Sequence, residues 1–186
     1  LIKQYQSGQY EEAEKLAKFF TQQFPEHPYA WKVLGSLLNQ TGRISESLDA
    51  KNKAVKLAPN DAAAHSNLAN TLNELGRFEE AEEHFTQAIA LKPDFAEAYS
   101  NLSITLQELG RLREAEENCR QAITLKPDYS KAHFNLGNTL HVIGKLGEAE
   151  ASYRQAIVLD PDYVEAHSNL GIVLQALGEL EEAEAS

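Results

Sequence analysis

Residues 96–129 read "AEAYSNLSITLQELGRLREAEENCRQAITLKPDY". Ala98, Leu102, Leu106 and Leu109 recur at helical spacing and trace one stripe; Gly110 interrupts it. Ala115, Cys119, Ala122, Ile123 and Leu125 trace a second stripe, which Pro127 closes. The stretch therefore reads as two helices joined by a glycine turn. The 34 residues before it, 62–95, match it at 22 of 34 positions without a gap. Pro25, Pro59, Pro93, Pro127 and Pro161 fall 34 residues apart, and so do Gly8, Gly42, Gly76, Gly110, Gly144 and Gly178. A fixed period of this length is the signature of a repeat architecture.

A lone pair of short helices cannot bury its own apolar face, so such units stack into a solenoid. Counting each unit from Pro28, Ala62, Ala96, Ser130 or Val164, the fourth residue is large: Trp31, His65, Tyr99, His133, His167. The seventh is Leu and the eighth is small. The twentieth is Ala at Ala81, Ala115, Ala149 and Ala183; the twenty-seventh is Ala at Ala54, Ala88, Ala122 and Ala156. This pattern resembles the tetratricopeptide repeat family along the whole chain. The resemblance implies an all-α, right-handed α-solenoid of stacked helix-turn-helix units in a single array. Complete repeats would span 28–61, 62–95, 96–129 and 130–163, with partial ones at 1–27 and 164–186.

Local chemistry adds expectations within that frame. "DFAE" at 94–97 and "DYVE" at 162–165 read as helix N-caps with a capping-box glutamate, and Asp128 as a weaker start. The unit 28–61 departs from the others, with Ser47 at its twentieth position and Lys51 where later units carry Phe85, Cys119 and Tyr153. Lys51 is expected to lay its stem on the core and keep its amine in water, giving a looser joint. Gly178 is expected to turn the chain into a second helix that is still running at Ser186, leaving Leu170, Leu174 and Leu177 incompletely covered. The sequence contains no Met, which reads as a segment of a longer protein.

The net charge of −11 disfavours nucleic acid and anionic membrane as partners. No apolar run is long enough to span a bilayer. The single cysteine, Cys119, excludes an internal disulfide framework. With no export signal in view, these features lean towards a cytoplasmic protein.

Asn67, Asn101, Asn135 and Asn169 return at the sixth position of four successive units; Val33 holds that place in 28–61. Positions 2, 6, 9 and 13 form a helical stripe separate from the core stripe. In tetratricopeptide proteins this stripe lines the concave wall. The chain resembles there the repeat region of O-linked N-acetylglucosamine transferases, where an asparagine ladder holds substrate polypeptide. An amide carries donor and acceptor, so a ladder suits the backbone of an extended peptide, and it equally suits bonding between repeats. Neighbouring positions add Ser66, Ser100, Phe134 and Ser168, then Asn70, Ile104, Asn138 and Ile172, then His141. Glu74, Glu108 and Val142 follow at position 13. This wall fits a segment with basic residues on one side and an apolar anchor on the other. Family members that clamp an acidic C-terminus carry several cations here, whereas this chain offers Lys131.

No motif for catalysis, phosphate binding or a metal emerges. His65, His133 and His167 occupy the large packing position, and His133 and His141 lie two turns apart, too far to share an ion. Cys119 sits at a packing position and reads as an inert thiol. The expectation is a non-enzymatic chain without cofactor or metal that binds a protein or peptide. Two further readings are a substrate-recruiting appendage of a larger enzyme, such as a glycosyltransferase, and a homo-oligomer stacking through open repeat ends.

Overall fold

The structure is a computed structural model that describes residues 10–185, with side chains to 178. Gly8 and the side chain of Ala183 lie outside the described residues. The described residues form helices joined by short turns, and contacts group the chain into two compact units, Leu1–Pro93 and Asp94–Ser186. The division falls within the joint that closes one repeat. Unit 1 contains α1 (Tyr10–Gln23), α2 (Pro28–Gln40), α3 (Ile44–Leu57), α4 (Ala62–Glu74) and α5 (Phe78–Leu91). Unit 2 contains α6 (Ala96–Glu108), α7 (Leu112–Leu125), α8 (Ser130–Ile143), α9 (Leu146–Leu159) and α10 (Val164–Ala185). The fold is an all-α helical repeat solenoid: within each unit every helix packs on the next, and alternate first helices also touch, α2 with α4, α6 with α8 and α8 with α10.

The turns explain the glycines. Gly42, Gly76, Gly110 and Gly144 hold φ between 71° and 88°, where a Cβ is strained. The next residue's N–H then reaches back to the first helix, as in Arg77 N to Leu72 O at 2.9 Å. Gly178 behaves differently. α10 runs through it unbroken to Ala185. The residues that follow, "ELEEAEA", are strong helix formers, and one interior glycine costs only about 1 kcal/mol.

The fourth position has a polar task beside packing. Trp31 Nε1 donates to Pro25 O at 2.7 Å. His65, His133 and His167 place Nε2 at 3.0, 2.9 and 2.9 Å from the carbonyls of Pro59, Pro127 and Pro161. A ring N–H thus satisfies the carbonyl of the proline that ends the preceding repeat. The caps anticipated at Asp94 and Asp128 do not form, and an aspartate cap is found instead at Asp61, where no aromatic intervenes. Asp61 stands directly before α4 and accepts from Ala64 N at 3.0 Å. At α6 and α8 the cap positions are Phe95 and Tyr129, without a side-chain cap bond, and Asp94 and Asp128 are displaced outward by one residue.

Core packing follows a size trade between the eighth and twenty-fourth positions. Gly35 faces Lys51, Ala69 shares its repeat with Phe85, Ser103 with Cys119, and Gly137 faces Tyr153. A Cβ on Gly137 would lie 2.6 Å from Tyr153 Cε1. Phe85, Cys119 and Tyr153 are fully buried.

Lys51 contradicts its expected wet amine. It is 6% exposed, and its Nζ donates to Thr71 Oγ1 and, at 3.4 Å, to Asn39 Oδ1. Gly35 makes room for the stem, and two polar oxygens from α2 and α4 replace water at its end. Burial pulls its pKa from 10.5 down to about 8, against the opposing pull of Glu74.

Two outcomes follow. Gly137→Ala lowers stability by about 1–3 kcal/mol in urea titration, and a cycle with Tyr153→Cys returns a favourable coupling, because the smaller side chain vacates the overlap. Lys51→Met raises stability at pH 7 by up to about 3 kcal/mol. The folded-state pKa is the lower one, so the penalty is full below pH 8 and fades as pH rises towards 10.5. The gain measured for the variant therefore shrinks over that window.

Candidate peptide-binding faces

The first helices of each unit carry the residues singled out at the repeat's sixth position and around it. In unit 2, Asn135 is 7% exposed and its Nδ2 donates back to the previous repeat, to Ser100 O at 3.2 Å and Oγ at 3.1 Å. Asn169 Nδ2 donates to Asn138 Oδ1 at 2.9 Å, an oxygen that also accepts from Tyr153 Oη at 2.8 Å. These amides join repeats. Gln107, one repeat before Asn135, does the same: its Nε2 donates to Thr139 Oγ1 at 2.6 Å and Asn135 O at 3.3 Å. Asn101 is half-buried.

Unit 1 has its own version. Asn39 Nδ2 donates to the Glu74 carboxylate at 3.1 Å, and its Oδ1 accepts from Thr71 Oγ1 at 3.1 Å as well as from Lys51. Asn67 and Asn70 are half-buried. The side chains at Ser66 and Ser100 are 4% and 1% exposed, so the fifth position faces inward there and offers no wall to a ligand. Ser168 is exposed. Phe134, expected as a ligand anchor, is half-buried against Tyr163 and Tyr153, with ring centroids at 4.8 and 5.9 Å.

Among the described residues, five large aliphatic side chains on the first helices of unit 2 stay open to solvent: Ile104 on α6 at 39%, Val142 on α8 at 66%, and Val164, Ile172 and Leu174 on α10 at 73%, 52% and 40%. Lys131 and Glu108 are exposed on these helices, and His141 is half-buried beside Val142. The second helices present mainly charge, with Val158 on α9 open at 71%. Arg111 pairs with Glu114, Arg154 with Glu150 at 2.9 Å, and Lys145 reaches across a repeat to Glu116 at 3.0 Å. Burial raises the Glu116 pKa, but hydrogen bonds from Lys145 and Arg120 outweigh it and hold the carboxyl below its usual range. Such solvated pairs contribute little affinity or stability individually.

Cys119 is buried, and burial pushes its thiol up to about 11, which keeps it protonated. Among the described residues no group of three or more His, Cys, Asp or Glu could hold a metal ion, and no helix is long and apolar enough to cross a membrane. Of the two uses open to the asparagines, bonding between repeats is seen at Asn135 and Asn169, and Thr71, Thr105 and Thr139 are fully buried hydroxyls one repeat apart.

Asn135→Ala removes the inter-repeat donor to Ser100, whose oxygens keep other partners, and lowers stability by about 0.5–1.5 kcal/mol, read as a shift in the urea midpoint.

A family model described as "Tetratricopeptide repeat" matches residues 28–94 and 60–128, another of that description matches 118–151, and one described as "TPR repeat" matches 137–178. No curated protein matches the chain. Among solved structures it is similar to TTC0263, a thermophilic TPR protein of Thermus thermophilus. That match has a TM-score of 0.77 at 21% identity and covers 94% of this chain and 95% of the other. YrrB, a TPR protein with an unusual peptide-binding site, aligns with a TM-score of 0.70 at 20% identity over 89% and 86% of the two chains. The first TPR of Spaghetti (RPAP3), bound to the HSP90 peptide SRMEEVD, aligns with a TM-score of 0.62 at 26% identity over 63% and 94%.

Proposed function

We propose that this chain, which belongs to the tetratricopeptide repeat family, is a protein-interaction scaffold that takes an extended peptide segment on the first-helix face of unit 2. The observation that carries this reading is the contrast between faces: Ile104, Val142, Val164, Ile172 and Leu174 are exposed on the first helices, while the second helices bear paired charges and, among the described residues, a single open large aliphatic, Val158. Exposed aliphatic side chains gathered on one face mark interaction sites more often than scattered ones do. The similarity to YrrB and to the RPAP3 repeat, both described with peptides, supports the same class of partner.

The partner's chemistry follows from the wall. Glu97, Glu108 and Glu165 are exposed around the aliphatic residues, with Lys131 as their cationic companion. A segment with apolar residues flanked by Lys or Arg fits this surface. An acidic terminus fits it poorly, since one lysine cannot replace a cluster of cations. In unit 2, Asn101 and Asn169 supply amides for the peptide backbone, Asn169 alongside its bond to Asn138, whereas Asn135 has little surface left to offer.

Panning a random peptide library against the chain tests this directly. The reading predicts enrichment of apolar-basic segments, with binding reduced at least about tenfold in the triple variant Ile104→Ser, Val142→Ser, Ile172→Ser, a loss of about 1.4 kcal/mol. Helicity and urea midpoint should be unchanged in that variant. Equal capture by parent and variant would sink the proposal.

A further inference from the structure

One pair of titratable side chains lies away from the proposed face. His65 on α4 and His84 on α5 bring their Nδ1 atoms to 3.0 Å, with ring centroids 5.2 Å apart and planes tilted by 42°. His65 is nearly buried, and its Nε2 faces the Pro59 carbonyl at 3.0 Å. A carbonyl only accepts, so His65 Nε2 carries the hydrogen. The neutral ring then has a bare acceptor at Nδ1, and His84 must supply the hydrogen from its own Nδ1. The two tautomers are thereby assigned by their partners.

This arrangement accommodates one added proton and not two. The first goes to His84 Nε2, and the resulting imidazolium still donates through Nδ1 to His65. The second must go to His65 Nδ1. Two N–H donors would then face each other, both on cations, in a site with little water. The contact cannot survive that state.

We propose that His65 and His84 form an acid-opened latch in unit 1, holding α5 to α4 and to the Pro59 turn until both rings are protonated. Burial disfavours the His84 cation most, and His65 adds to this, while Glu83 and Glu80 on α5 favour it. Glu80 is itself held by Arg77 at 2.6 Å. Asp61, at the start of α4, is engaged by Lys32 at 2.7 Å and by Ala64 N. His133 has the same bond to its turn proline, but the position matching His84 in its repeat is Ser152, so that repeat lacks the opposed ring.

Nitrogen-15 NMR of the histidine side chains in the full chain tests the latch. At neutral pH His65 should appear as the Nε2–H tautomer and His84 as the Nδ1–H tautomer. Their two protonation steps should be separated by more than about one pH unit. Overlapping, independent titrations, or an Nε2–H tautomer for His84, would overturn the proposal. Thermal melts from pH 7.5 to pH 5 give the second readout. His84→Asn, the residue of the next repeat, should melt below the parent at pH 7.5, and the gap should close by pH 5. A gap independent of pH overturns the latch, and His133→Asn serves as a control without pH-dependent change. Should His84→Asn fail to fold, His65→Tyr replaces it, with the same expected closing of the gap.

Discussion

The two helices of a repeat close around one space that the eighth and twenty-fourth side chains fill together, and the rest of each unit is built on that fit. Where the eighth is Gly137, a tyrosine ring fills the gap; where it is Ser103, a cysteine suffices. The pair behaves as one volume divided between two sites, as close packing requires. The same trade admits a lysine opposite Gly35, because the missing Cβ leaves a channel for the stem. Within each unit, once the helix pair is closed, the first helix of the next repeat meets the second helix of the last.

Closing the repeats leaves polar groups at their joints, and amides resolve most of them. Asn39, Gln107, Asn135 and Asn169 each span from one repeat to a neighbour within their unit. An amide does this well because it donates and accepts at once, and a buried group left without a partner is costly. The asparagines therefore serve the stack first. In the proposed reading, a ligand would meet the side chains that the stack does not bury: Ile104, Val142, Val164, Ile172 and Leu174, with exposed charge on the same helices.

The helical repeat was legible because a period of 34 constrains each position several times over. Gly76, Leu72 and Pro93 each have counterparts that say the same thing. The features that escaped are those where a side chain's partner lies in another repeat or where one residue is unique. The core-lying stem of Lys51 is legible from its position, but Thr71, in the following repeat, decides that its amine is buried as well. Ser66 and Ser100 lie beside the asparagines in sequence, yet one step round the helix turns them inward. Gly178 carries the repeat's turn signal, but the helix propensity that follows it prevails. For the site, the stripe was visible as a set of positions, while the division between structural amides and open aliphatics needed the packed structure.

Hydrogen–deuterium exchange of the full chain, with and without a peptide selected by panning, tests the central claim most directly. The account predicts added protection along the first helices of unit 2, at 96–108 and 130–143 and in the early part of α10, with α7 and α9 unchanged. Protection confined to α7 and α9 would place the partner on the charged face and contradict it.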